Sequence, residues 1–208
     1  MTPLAQFEAV WSRCAQLTTL HAYLEKNTSS ILQPDELLRA EWVARISALD
    51  LFTHELVAQA MLSIFEGRRP ASPAYLRFQV STETLNRIRA ATTTSEASAA
   101  FDLNVRTYLS RITYQAPDDI ADGVRLCSEI ELWNEVALKL GATQATKADE
   151  AKNLKKQLSL LVRRRNIIAH EGDLQQSPLR EPWPISRADL EFVGNQIERL
   201  VRAINAVV

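Results

Sequence analysis

With 208 residues and a formal net charge of -1, the chain is the size of one domain with a real core, and it is not a uniformly basic nucleic-acid coat. A hydrophobic share of 46% with only 5 glycines, dominated by Ala, Leu, Glu, Arg and Gln, favours helix and predicts a single all-α domain over residues 1–208. No run approaches the ~18 apolar residues of a membrane span. Cys14 and Cys127 form neither a CxxC pair nor a disulfide framework, and Met1 to Glu8 lacks a basic stretch leading into an apolar one, so a cytoplasmic chain is expected.

Apolar residues at Phe7, Val10, Trp11, Leu17, Leu20 and Leu24 predict a first helix, ended by Asn27-Thr28-Ser29-Ser30 and expected to be peripheral over residues 1–30. Pro34-Asp35 suits a first helical turn, and the pattern from Leu37 to Ile64 predicts a long central helix closed by Gly67 and Pro70. On it, Asp50 and His54 lie four apart and share a face, which suits a structural polar pair first and, as the alternative, a supporting pair in which a carboxylate orients an imidazole. His54-Glu55 also begins a HExxH string, but Ala58 stands at its last position and excludes the zinc-protease reading. No metal ligands and no cofactor are expected.

Ser81 is placed to cap a helix through Leu85, Ile88 and Ala91, and Ala97 to Arg111 suits another. Pro117-Asp118-Asp119 opens a single predicted helix that continues through Val124, Ile130, Trp133 and Leu140 to Gly141. Thr146 with Asp149 resembles a capping pair for a helix with Leu154, Leu158 and Leu161 on one stripe. Three prolines between Leu174 and Pro184 exclude helix there, and Ser186 caps a last amphipathic helix through Ile204. The sum is six or seven helices.

Chemistry concentrates where the stripe of Leu154, Leu158 and Leu161 runs into Arg163-Arg164-Arg165-Asn166, then His170 and Gly172-Asp173. From Lys139 to Arg165 there are eight basic residues against two acids, Asp149 and Glu150. At about 100° per residue, Arg165 falls within roughly 20° of the leucine stripe, whereas Arg163, Asn166 and His170 gather on a different face. An arginine beside a core wants a carboxylate, an interface or an anionic ligand. Arginine and asparagine supply anion stabilisation and an orienting amide, and an imidazole moves protons. In a straight helix Arg165 and His170 diverge by about 140°, so reaching one phosphate requires either unwinding near Ala169 or a twofold dimer.

The string Arg165-Asn166-Ile167-Ile168-Ala169-His170 resembles the Arg-x4-6-His motif of the HEPN ribonucleases, with asparagine after the arginine. Together with Ala48 to Leu56 and the following Glu171-Gly172-Asp173, it resembles the RiboL-PSP-HEPN branch in particular, over most of the chain from about Glu36 onward. The resemblance implies a HEPN-like helical bundle that forms a twofold homodimer, with paired motifs making one metal-independent endoribonuclease site. It also implies 2′-OH attack on the adjacent phosphate, with His170 in proton transfer, Arg165 stabilising phosphorane charge, and Asn166 positioning the backbone or the histidine. Arg163, Arg164, Lys155 and Lys156 would add sequence-independent RNA attraction. A toxin or phage-defence role, with an antitoxin or defence-system partner protein, is implied by analogy. The alternative is a catalytically silent member that binds RNA, a nucleotide or a partner protein through the same cleft.

Overall fold

The computed structural model describes residues 1–28 and 32–208. Ser29 and Ser30, assigned above to the end of the first helix, lie outside the described residues. Nine helices and no strand occur among the described residues: α1 Pro3–Asn27, α2 Asp35–Phe65, α3 Pro73–Leu76, α4 Thr82–Ala90, α5 Thr94–Leu109, α6 Pro117–Arg125, α7 Leu132–Lys139, α8 Lys147–Glu171 and α9 Arg187–Val207. The all-α expectation holds.

α2 is the axis of the bundle, touched by α1, α5, α6, α8 and α9. Ile46, Leu49, Phe52, Val57 and Met61 are fully enclosed on it, against Val193, Ile197, Val201 and Ile204 of α9 in the same core. An 18-residue window of α2 reaches a mean hydropathy of 1.2, long and apolar enough to cross a membrane, and 61% of that window is buried inside the bundle. It is the core helix that passes the test, and it carries Arg39, Glu41, Arg45, Asp50 and Glu55.

The first helix is not peripheral. Phe7 is fully buried and stacks on Trp11 with ring centroids 4.8 Å apart. Deep between α1 and α2, the Glu41 carboxylate accepts from the Thr18 backbone amide at 2.7 Å, from the Thr18 hydroxyl and from Arg45, while the Arg45 guanidinium lies 4.4 Å from the Trp11 ring centre. A fully buried carboxylate is tolerated because its oxygens are satisfied, and truncating either partner would strand a charge. That interlock ties α1 to the axis.

The count among the described residues exceeds the expected six or seven. Ser72 caps a four-residue α3, its hydroxyl accepting the Tyr75 amide at 3.0 Å. The predicted continuous helix from Pro117 to Leu140 breaks after Arg125, and α7 folds back so that the Trp133 indole donates to the Pro117 carbonyl at 3.0 Å. The Ser72 hydroxyl reaches the freed Arg125 and Leu126 carbonyls at 3.2 and 2.9 Å. Tertiary hydrogen bonds therefore compensate for the lost helical ones, and periodicity alone carries no trace of them.

Other boundaries follow local chemistry. Ser186 and Asp189 form a capping box at α9, and Thr93 and Glu96 form one at α5, inside a threonine run that reads as a plain break. The Thr146 pair fails as a cap: its hydroxyl accepts the Thr143 amide at 3.0 Å, turned away from α8.

Candidate functional site

α8 keeps its helix through Glu171 and stops at Gly172, whose φ of 66° is a left-handed cap open to glycine at little cost. Of the two ways to bring Arg165 and His170 onto one phosphate, unwinding near Ala169 is thereby excluded in this chain. Arg165 is half-buried, and Arg163, Asn166 and His170 are exposed, which matches the faces read from spacing. Leu158, Leu161 and Val162 are buried beneath them.

Arg165 donates from one terminal nitrogen to Asn166 Oδ1 at 3.0 Å, and its buried Nε has no partner. Among the described residues, no ion pair involves Arg165. The Asn166 side-chain oxygen thus meets the neighbouring guanidinium in this structure. His170 stands one turn further, in the final turn of α8, on a different side of the helix.

Arg164 has a different fate from the one expected. Its terminal nitrogen donates to Asp173 Oδ2 at 2.7 Å and lies 3.3 Å from the Pro184 carbonyl, and its guanidinium carbon is 6.0 Å from the Trp183 ring centre. Asp173 is completely buried, holds a left-handed φ of 59°, and takes a second arginine on the same oxygen, Arg39 Nε at 2.9 Å. Arg39 also donates to the Trp183 carbonyl at 2.7 Å, and the Trp183 amide donates to the Asp173 carbonyl at 2.8 Å. With the single bridge between Leu174 and Pro182, these bonds fasten the proline-rich segment against the end of α8. Arg164 is consumed by this clamp, so it is a structural residue and not a free RNA contact.

Lys155 reaches Asp118 at 2.7 Å across an exposed gap, a pair worth little in solvent, while Lys156 and Arg163 are exposed. Arg163 and Lys156 are therefore the basic side chains of the expected set most available to a polyanion. Residues that spacing did not single out are Arg39, Trp42, Asp173 and Trp183. A signal did exist for the first: Arg39, Glu41 and Arg45 are charges set within an otherwise apolar helix, a pattern that calls for buried partners.

The Asp50 and His54 pair forms, at 3.5 Å, but elsewhere. Asp50 lies eleven residues beyond Arg39 on α2, about 16 Å along the helix axis. Its carboxylate accepts the Tyr114 amide at 2.5 Å and the Gln115 side chain at 3.2 Å, and the His54 ring packs edge-on against Tyr114 at 4.8 Å. Gly123 completes that corner, since a Cβ there would sit 2.6 Å from the Tyr114 ring. The pair anchors the approach to α6, the structural use of the two.

Burial works against the Asp50 charge, yet hydrogen bonds from His54, the Tyr114 amide and Gln115 outweigh it and hold the carboxyl below its ordinary value. For Glu55 the Arg106 hydrogen bonds dominate, and again the carboxyl is lowered against its burial. Both shifts lower the folded-state value, so the stability they contribute is full above the unfolded carboxyl range of about 4 and is lost as pH falls through the lower folded values. Asp50→Asn should flatten the acid side of the stability curve. Urea midpoints at neutral pH and below pH 4 measure this, and an acid loss as steep as wild type would remove Asp50 from the account.

Among the described residues there is no group of three or more His, Cys, Asp or Glu side chains able to hold a metal ion. Cys127 is buried, and burial pushes its thiol up to about 11. Comparison with family models, curated proteins and solved structures finds no match for this chain.

Proposed function

We propose that the chain is an endoribonuclease of the HEPN type, working as a twofold dimer in which the end of α8 from each copy lines one cleft. The observation that carries this reading is the state of Arg165. A half-buried guanidinium without a carboxylate, with an unpartnered buried Nε, is costly unless an anion or an interface completes it. Asn166 holds that guanidinium in place, and exposed His170 lies one turn away, too divergent to meet the same phosphate from the same chain.

In the proposed reaction the ribose 2′ oxygen bonds to phosphorus and the bond from phosphorus to the 5′ oxygen breaks. The products are a 2′,3′-cyclic phosphate and a 5′-OH end. His170 takes the 2′-OH proton, and the departing 5′ oxygen gains one from the second His170 of the cleft or from solvent. Arg165 faces the charge that grows on the phosphorane oxygens, where a preplaced donor stabilises the transition state more than the ground state. Arg163 and Lys156 draw in the RNA backbone, which makes binding steeply salt-dependent.

The test is cleavage of end-labelled RNA in EDTA by wild type, Arg165→Ala and His170→Ala proteins. Wild type should leave cyclic phosphate ends, and loss of His170 should lower the rate by about 10²–10⁴-fold. Cleavage that survives both substitutions removes the site, and cleavage abolished by EDTA removes the metal-free chemistry. RNA binding without cleavage by wild type would replace the enzyme with a silent binder. The toxin or defence role, with its antitoxin or partner protein, rests on the resemblance, and growth arrest on expression that His170→Ala relieves would support it.

A further inference from the structure

The face of α2 that meets α8 carries Arg39 and Trp42, three residues apart and therefore side by side. The Trp42 indole N–H donates to the Leu161 carbonyl at 3.1 Å. In an α-helix that carbonyl is the acceptor of the amide four residues on, which here belongs to Arg165. The indole therefore bonds the same oxygen that holds the Arg165 backbone. Arg39 grips the other end, binding the buried Asp173 carboxylate through Nε and the Trp183 carbonyl through a terminal nitrogen. Between these two grips lies the segment from Arg165 to His170, unbroken helix throughout.

Neither contact is the cheapest way to pack this seam. A buried ion pair typically contributes no more stability than well-packed apolar residues of the same volume, while it does restrict geometry. Trp42 also joins two apolar clusters, packing on Leu38, Ile185 and Leu190 on one side and on the main core on the other, so its ring has little freedom to move. We propose that Arg39 and Trp42 are positioning residues: acting through the Leu161 carbonyl and through Asp173, they set the direction in which α8 presents Arg165 and His170. The kinetic half of this inference rests on the ribonuclease reading, and the spectroscopic half does not.

The experiment uses the full chain with Arg39→Lys, which keeps the charge but loses the two-pronged fork, and Trp42→Phe, which keeps a ring but loses the donor. Arg87→Lys, exposed on α4 and away from α8, is the control. Each protein is assayed well below its melting temperature for kcat and KM on RNA, and the His170 ring is followed by its ¹H–¹³C aromatic correlation, assigned with His170→Ala. Both variants should lower kcat by about 10–100-fold with KM changed by less than about twofold, because a displacement near 1 Å costs the chemical step and not binding. The His170 signal should shift or broaden while those of His21 and His54 stay in place. Variants with wild-type kcat and an unmoved His170 signal overturn the inference. If wild type cleaves no RNA, the ribonuclease reading falls and the His170 signal alone decides: a shift supports the positioning role, and an unmoved signal ends it. Should Arg39→Lys fail to fold, Trp42→Phe carries the same decision.

Discussion

Arg165→Ala and His170→Ala chains, each inactive as homodimers, should regain cleavage when paired in one heterodimer. Five residues separate the two side chains on a helix that runs without a break to Glu171, which places them about 140° apart around its axis. One chain then cannot direct both at a single phosphate, whereas a twofold axis brings the arginine of one copy to the histidine of the other. A heterodimer of the two variants retains one such pair. Co-expression with different tags and sequential affinity steps isolates it. Its rate should exceed that of either homodimer by at least about tenfold and stay at or below about half of wild type, since one of two symmetric pairs survives. A heterodimer as inactive as its parents would place the pair within one chain. Sedimentation showing only monomer at tens of micromolar would remove the composite cleft altogether.

The contrast between Arg165 and Arg164 shows what spacing conveys and what it omits. Helical period separates the faces of Arg165 and His170, because the period is a property of the backbone and α8 is unbroken through both. The same logic locates α9 and its apolar stripe, whereas α2 is buried on several faces and is legible from its length and apolar content. Arg164 is one residue from Arg165 and equally basic, yet it is held by Asp173, nine residues on, and shares that carboxylate with Arg39, which lies 134 residues before Asp173. The Arg39 contact exists only where α2 meets the end of α8, so no local pattern encodes it. The break between α6 and α7 has the same origin in Trp133 and Ser72, as does the partner that Asp50 and His54 find in Tyr114. Charges inside an apolar helix, such as Arg39, are the legible sign that a partner exists, without saying which one.

Asp173→Ala should be among the most destabilising single changes in the chain, by about 3–5 kcal/mol, because it leaves two arginines at a buried position with their shared carboxylate gone. Arg39 is almost wholly enclosed and keeps only the largely exposed Glu36 carboxylate, at 3.1 Å, as an ionic partner, whereas Arg164 is about one-fifth exposed, with a side-chain value of 21%, so the poorly compensated charge is chiefly that of Arg39. The expected cost follows from that asymmetry: Arg164 can swing outward and recover hydration, whereas Arg39 cannot without opening the seam between α2 and the segment carrying Trp183. The left-handed φ at Asp173 adds to the loss, since alanine tolerates that conformation less well than aspartate. For a chain of this length the change corresponds to a fall in melting temperature on the order of 10 °C. The double variant Asp173→Ala with Arg39→Met should recover most of the loss, because an apolar side chain of similar length asks for no carboxylate. Thermal melts of the two single variants and the double one give the coupling directly. Additive losses would mean that Arg39 and Asp173 stabilise the fold independently, and the clamp at the end of α8 would then be two separate contacts.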